Sequence, residues 1–128
     1  PDKINLLDEA LNIAKEVDEV ILLVGTNSDW ETEGNDRVDF NLPGEQNTLI
    51  EKVLDINPNA IIVLNTGSPV NMPWVDKAKS ILQSWYAGQE YGNALFDILK
   101  GLVNPSGKLP TTFPRRIEDT PAYSSYPG

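Results

Sequence analysis

Two short apolar runs, each ending in glycine, constrain the fold of this chain more than any other feature. The first, "EVILLVG", covers Glu19–Gly25, and the second, "NAIIVLNTG", covers Asn59–Gly67. Continuous runs of valine, isoleucine and leucine are typical of parallel strands covered on both faces, whereas strands with one wet face alternate apolar and polar residues. We therefore predict two buried parallel strands, each followed by a loop that begins near its glycine.

Segments with helical periodicity flank and separate these runs. Residues Ile4–Val17 place apolar side chains three and four positions apart, which predicts an amphipathic helix. A second apolar stripe, "EQNTLIEKVLDIN" at residues 45–57, stops before Pro58 because the residue before a proline disfavours the α conformation. A third, "QEYGNALFDILKGL" at residues 89–102, is expected to end near Gly101.

The remaining elements are predicted from weaker patterns. "SILQSWYAG", residues 80–88, indicates a third strand, and residues 75–79 indicate a short helical segment. The tail at residues 103–128 is rich in proline, glycine and serine, so we expect it to be extended, with at most a short strand at 109–113. Because helices alternate with apolar strands, the predicted fold class is α/β, a layered sandwich with a mainly parallel sheet flanked by helices. The length fits a single domain over residues 1–128.

The loops that follow the three strands should lie together. Right-handed crossovers bring the carboxyl ends of parallel strands to one edge of the sheet, where open α/β folds bind ligands. These loops are residues 25–43, 65–73 and 86–90. The first, which we call the acidic loop, is about nineteen residues long, whereas most connections have about four to six. Its charged and indole side chains are Asp29, Trp30, Glu31, Glu33, Asp36, Arg37 and Asp39.

Composition narrows the chemistry available to the acidic loop. The chain contains no histidine and no cysteine, which excludes Ser-His-Asp and Cys-His catalysis, disulfides and thiolate metal sites. The net charge of −9 would repel phosphate backbones and anionic lipids, so we expect neither a nucleic-acid nor a membrane partner. Proton transfer would have to be performed by carboxylates, lysine or tyrosine. The compartment stays undetermined.

Three interpretations of the acidic loop compete: a solvated connection, a metal site, or a carboxylate acid. Trp30 and Phe40 argue against a purely solvating segment. "DWETEG" at residues 29–34 imitates the first half of a calcium loop, but Phe40 stands where a bidentate glutamate belongs, so we expect no metal. A glutamate beside other acids and a tryptophan tends to have a raised pKa and to hold a proton, as glycosidic bond cleavage requires.

Most of the chain resembles the C-terminal α/β sandwich domain of glycoside hydrolase family 3, above all its fungal and yeast-type β-glucosidases. The combination "WYAGQExGNA" with "NPSGKLPxTFP" is the most specific feature. The matching stretches run in family order from Val20 to Tyr123: "VILLVGTNSDWETEGNDR", "LPGEQNTLIEKVLDINPNAIIVLNTGSPVNMPW", "ILQSWYAGQEYGNALFDILKGLVNPSGKLPTTFPRR" and "DTPAY".

The resemblance implies the active site of a retaining β-glucosidase, shared between two domains and free of cofactors. An N-terminal barrel would supply an aspartate nucleophile, and a loop of the sandwich domain would supply the acid/base glutamate. The family's "E-G-x-D-R" pattern places this glutamate at Glu33, and a shift of two residues selects Glu31 instead. Trp30, Asp36 and Arg37 are then the expected substrate-binding residues. Trp30 would form a stacking wall for the aglycone, while Asp36 and Arg37 would also form an ion pair that shapes the loop.

The resemblance also implies what larger protein the chain is part of and which partners it has. We expect the chain to be a fragment of a larger multidomain glycosidase whose barrel it lacks, and therefore to be inactive in isolation. Its expected partners are a β-glucoside or oligosaccharide substrate and the N-terminal barrel of the same protein. The alternative is a non-catalytic carbohydrate-binding or structural module of the same fold. Independently of the resemblance, Trp74 and Trp85 are expected in the core or at an interface, because tryptophan has a large apolar side chain.

Overall fold

The computed structural model describes residues 5–126 and has the predicted α/β architecture. Its three strands form one parallel sheet in the order β1-β2-β3, which confirms the predicted class. The start of the first predicted helix, Ile4, lies outside the described residues. The elements are α1 (Leu6–Glu16), β1 (Ile21–Gly25), α2 (Gln46–Ile56), β2 (Ile61–Asn65), β3 (Ser80–Gln83), α3 (Tyr91–Leu99) and two short 3₁₀ helices, Ile117–Asp119 and Tyr123–Ser125.

The core lies between the sheet and the two helices α1 and α2, which pack against each other. Trp74 is buried there, and its indole N–H donates to Asn47 Oδ1 at 2.8 Å, so the polar atom of this large side chain is satisfied. Trp74 is therefore a core residue, as predicted. The cluster comprises Ala14, Val24, Leu42, Ile50, Val53, Leu54, Ala60, Ile62, Leu64, Val70 and Trp74.

The prediction that both apolar strands are covered on both faces is correct for β2 and wrong for β1. Successive side chains of a strand point to opposite faces of the sheet. Val24 points into the core, whereas Ile21 and Leu23 on the other face are 50% and 59% exposed. The cause is position, because β1 lies at an edge of the described sheet and β2 lies at its centre.

The third strand ends at Gln83 rather than at residue 88. Ser84 still donates its backbone N–H to the Leu64 carbonyl at 2.9 Å. Trp85 then has a φ of 54°, in the left-handed region, which an extended strand cannot contain. Its ring packs against Phe113 with 6.1 Å between the ring centroids, so the chain leaves the sheet here.

The helix predicted at residues 75–79 does not form, and the tail forms no strand at residues 109–113, which the expectation of at most a short strand allows. Residues 73–77 form turns instead of the helix predicted at 75–79. The backbone bonds Val75 N–H to Met72 O and Lys77 N–H to Trp74 O, each at 3.0 Å, close single turns and no helix continues from them. No strand forms at residues 109–113, where Pro110 lacks the N–H that a ladder would need.

Candidate active site

The loops that follow the three strands meet on one carboxylate, that of Glu31. Its Oε2 accepts hydrogen bonds from the Thr26 hydroxyl and the Gly67 backbone N–H, both at 2.9 Å, and from the Tyr86 hydroxyl. Its Oε1 accepts one from the Ser68 hydroxyl. Thr26 follows β1, Gly67 and Ser68 follow β2, and Tyr86 follows β3. A single side chain therefore joins all three loops, and we call these residues the Glu31 cluster.

Glycine is required at two places for this close approach. A Cβ atom at Gly67 would lie 2.9 Å from Oε2 of Glu31 and 2.8 Å from the ring of Tyr86. A Cβ atom at Gly25, where the acidic loop begins, would lie only 2.1 Å from the carbonyl oxygen of Asn65. All three distances are below ordinary van der Waals contact, so a larger residue at either position would displace a neighbour.

Gln46, the first residue of α2, holds both ends of the acidic loop. Its side-chain oxygen accepts the Gly25 backbone N–H at 2.8 Å, and its amide nitrogen donates to the Gly25 carbonyl at 2.9 Å. The same nitrogen donates to the Pro43 carbonyl at 3.0 Å. A side-chain amide offers the donor and acceptor that a neighbouring strand would offer. The long loop therefore leaves from and returns to one place at the edge of the sheet.

The environment of Glu31 keeps it ionised. Its side chain is 14% exposed. Burial by itself raises the pKa of Glu31, but the hydrogen bonds of the cluster, that of Ser68 foremost, outweigh it and lower the pKa from 4.5 to about 2. The expectation of a raised pKa for a loop glutamate is thus wrong for Glu31. Burial, together with the Glu31 carboxylate, raises the pKa of Tyr86.

Arg37 approaches Glu31 rather than Asp36. Its Nη1 lies 3.8 Å from Oε1 of Glu31, and its Nη2 donates to the Pro69 carbonyl at 3.4 Å. Within residues 5–126, no ion pair joins Asp36 to Arg37, so the predicted pair is wrong. The physical reason is that Asp36 is exposed, whereas Arg37 turns toward the partly buried carboxylate of Glu31 and the loop after β2.

A pocket of about 480 Å³ opens widely to solvent beside the Glu31 cluster. The residues predicted to bind substrate, Trp30, Asp36 and Arg37, all contribute to it. Glu33 is exposed, does not line the pocket, and forms no hydrogen bond or ion pair with the residues that the structure describes. The pocket is lined by Trp30, Glu31, Thr32, Asn35, Asp36, Arg37, Gly67, Ser68 and Tyr86.

The partners of Glu31 were not evident from the sequence. Tyr86 lies within the "WYAGQExGNA" stretch, but nothing in the sequence marks Tyr86, Thr26 or Ser68 as a partner of Glu31. The available signal was their position, because each lies close after an apolar run whose end was expected at the same sheet edge. Only the fold determines that these three hydroxyls face the carboxylate of Glu31 rather than that of another acid in the loop.

Other features of the described residues lie away from this site. A more apolar cavity of about 660 Å³ lies between β3, α3 and the tail, and it includes neither Glu31 nor Glu33. Among residues 5–126, no three or more histidine, cysteine, aspartate or glutamate side chains converge in a way that could hold a metal ion. The helices described there include none with the length and apolar character needed to cross a bilayer.

Comparison with known proteins assigns the family. Residues 4–128 match the glycosyl hydrolase family 3 C-terminal domain. The chain belongs to this family. This family 3 domain is 51% identical over 126 residues to beta-glucosidase B of Emericella nidulans, a match that covers 97% of the chain and 15% of that protein.

Solved family 3 structures share the fold. The β-glucosidase of Kluyveromyces marxianus in complex with glucose superposes with a TM-score of 0.89 at 42% identity, covering 95% of this chain and 15% of that one. The GH3 β-glucosidase of Bifidobacterium adolescentis has a TM-score of 0.89 at 41% identity, covering 100% of this chain and 19% of that one. The family 3 domain thus spans between 15% and 19% of the length of these three relatives.

Proposed function

We propose that this family 3 domain supplies the general acid/base carboxyl group of a retaining β-glucosidase that hydrolyses terminal β-D-glucosyl residues. The observation that carries the proposal is the acidic loop, which the Glu31 cluster holds at the carboxyl edge of the parallel sheet while Glu33 stays exposed. The names of the relatives support the substrate class, since they are β-glucosidases.

The proposed reaction needs two carboxyl groups about 5 Å apart. One carboxylate attacks the anomeric carbon and forms a glucosyl-enzyme, while the carboxylic acid protonates the departing glycosidic oxygen. The acid, now ionised, then takes a proton from water, and that water releases glucose from the enzyme. In this proposal an aspartate on an N-terminal barrel of the same protein is the nucleophile, and no cofactor takes part.

Between the two candidate acids, the surroundings support Glu33. Glu31 is engaged by donors on both oxygens, and its pKa of about 2 keeps it ionised at neutral pH, so it has no proton to donate. Glu33 has no such partners within the described residues and is accessible to a substrate. The exposure of Glu33 also fits a group that must meet a nucleophile carried by another domain.

The open pocket is the proposed site of the leaving aglycone. Trp30 and Asp36 line it and would contact the sugar or aglycone directly. Aromatic side chains offer a flat apolar surface to the face of a ring, which is the proposed role of Trp30. Arg37 also borders the pocket, and its contact with Glu31 suits it to shape the loop.

Chemical rescue in the full-length protein tests this proposal. Glu33→Ala should lose most activity on an alkyl β-glucoside, by about 100-fold or more, because general acid catalysis contributes about that much. Azide should restore turnover of an activated aryl glucoside and yield glucosyl azide, since this small anion can attack the glucosyl-enzyme in place of water without the help of a base. Asp29→Ala, in the same loop, serves as the control.

Two outcomes would contradict the proposal. Rescue of Glu31→Ala alone would move the acid/base role to Glu31. Full activity in both alanine variants, or no β-glucosidase activity in the full-length protein, would instead favour a non-catalytic carbohydrate-binding or structural module.

A further inference from the structure

We infer that Gln46 is a positioning residue, whose side-chain amide closes the base of the acidic loop and thereby determines where the acid/base carboxyl group of that loop meets the substrate. The inference rests on the proposed function, because it requires the acidic loop to carry this carboxyl group. Both candidate glutamates, Glu31 and Glu33, lie between the two ends that Gln46 joins, so the role of Gln46 is the same for either.

Gln46 occupies the outer edge of β1 at the residue where the acidic loop begins. Gly25 pairs in register with Asn65 of β2, and the Thr26 backbone N–H donates to the Asn65 carbonyl at 3.1 Å. The backbone groups of successive strand residues point to opposite edges, so the N–H and carbonyl of Gly25 point away from β2. Both are bonded to the amide of Gln46, which takes the place of a neighbouring strand. The chain is thus held from both edges where it passes from β1 into the loop.

A single nitrogen atom joins the two ends of the loop. Nε2 of Gln46 donates to the Gly25 carbonyl at 2.9 Å and to the Pro43 carbonyl at 3.0 Å, although nearly the whole loop separates these two residues. An NH₂ group has two hydrogens, so each carbonyl receives its own. An apolar side chain in place of Gln46 has no N–H to donate and would release both ends at once.

The first turn of α2 holds Gln46 in place. The adjacent residue, Asn47, accepts the indole N–H of the buried Trp74 at 2.8 Å, and the Leu49 backbone N–H donates to the Glu45 carbonyl at 2.9 Å. Gln46 itself is half-buried. A side chain on a fixed helix is suited to position a loop that has no helix or strand of its own.

The base of the loop is directly connected to the segment that carries its candidate acids. Thr26 follows Gly25, and its hydroxyl donates to the carboxylate of Glu31 at 2.9 Å. A shift of Gly25 therefore moves Thr26 and, through this hydrogen bond, the segment that contains both glutamates.

A small displacement of the acid has a large kinetic cost. A misplacement of about 1 Å can reduce the rate about 100-fold. The loss should be greatest for substrates whose leaving group needs protonation, because only those depend on a well-placed acid. General destabilisation would instead lower the rates on all substrates by the same factor, since it reduces the amount of folded enzyme.

The test compares Gln46→Met with Val53→Ala in the full-length enzyme, using an alkyl β-glucoside and a dinitrophenyl β-glucoside. Methionine is unbranched and lacks the amide, so Gln46→Met releases the loop without leaving a large cavity. It should lose at least about 10-fold in kcat/KM on the alkyl glucoside and clearly less on the dinitrophenyl glucoside.

Val53→Ala is the control for destabilisation of the same helix. It opens a cavity in the core about two turns further along α2 and leaves the hydrogen bonds of Gln46 in place. The ratio of its kcat/KM values on the two substrates should therefore stay within about twofold of the wild-type ratio.

The possible failures are distinguishable. If Gln46→Met keeps the wild-type ratio of kcat/KM values, or if Val53→Ala changes that ratio as much, the positioning role is overturned, while azide rescue of Glu33→Ala still upholds the proposed function. Full activity in both Glu31→Ala and Glu33→Ala would overturn the proposed function and, with it, the role of Gln46.

A milder variant decides the question if Gln46→Met does not fold. Gln46→Asn keeps the amide but is shorter by one methylene group, so it cannot contact both Gly25 and Pro43 unless the loop moves. It should show a smaller loss with the same dependence on the leaving group. Wild-type kcat/KM on both substrates would overturn the inference.

Discussion

Acidification should destabilise this domain through Glu31 within a defined range of pH. The hydrogen bonds of the cluster hold the pKa of Glu31 at about 2 in the folded domain, against an ordinary value of 4.5. On unfolding, the carboxylate binds a proton more readily than in the folded state. The stabilisation is therefore complete above pH 4.5 and is lost as the pH falls from 4.5 toward about 2.

The size of the effect follows from the two pKa values. One pKa unit corresponds to about 1.4 kcal/mol, so the difference between 4.5 and about 2 sets an upper bound of about 3 kcal/mol. About 2 kcal/mol of this should be lost by about pH 3, since the folded carboxylate is still ionised there while the unfolded one is mostly protonated. Glu31 is 14% exposed, and the remaining contact with water will reduce these values somewhat.

Urea unfolding of the 128-residue chain, followed by the fluorescence of its three tryptophans, measures this effect. The free energy of unfolding of wild type should exceed that of Glu31→Gln near neutral pH, and the difference should shrink below pH 4.5. The free energy of unfolding of Asp29→Asn should change with pH in the same way as that of wild type. A wild-type advantage that stays constant from about pH 7 to about pH 3 would refute the reasoning, because Glu31 would then have an ordinary pKa.

Further predictions concern Gly67, Gln46 and the activity of the isolated chain. Gly67→Ala should lower the activity of the full-length enzyme about 10-fold or more, since its Cβ would displace Glu31 or Tyr86, whereas Gly107→Ala, with no atom within 4 Å of its Cβ, should be silent in the same assay. Gln46→Leu should reduce the free energy of unfolding by about 1–3 kcal/mol in urea titrations, because the N–H of Gly25 loses its acceptor. The isolated chain should not hydrolyse an aryl β-glucoside; turnover that Glu33→Gln abolishes would contradict this.

Much of the fold could be predicted because its signals are local. The helix α2 ends just before Asn57-Pro58, and the apolar runs became β1 and β2. The end of β3 could not be predicted, since the left-handed backbone of Trp85 coincides with packing against Phe113, which is far along the chain. The exposed face of β1 likewise depends on which strands lie beside it, and no local pattern records that.

The sequence by itself determined the inventory of the candidate site: a long acidic loop after an apolar strand, with no histidine or cysteine to share its chemistry. Only the tertiary structure separated Glu31 from Glu33, two residues apart in the same acidic neighbourhood. Glu31 is enclosed by donors from three loops, and Glu33 is exposed. Burial and hydrogen bonding determine which carboxylate is held and which is accessible, and both arise from residues that only the folded sheet brings together.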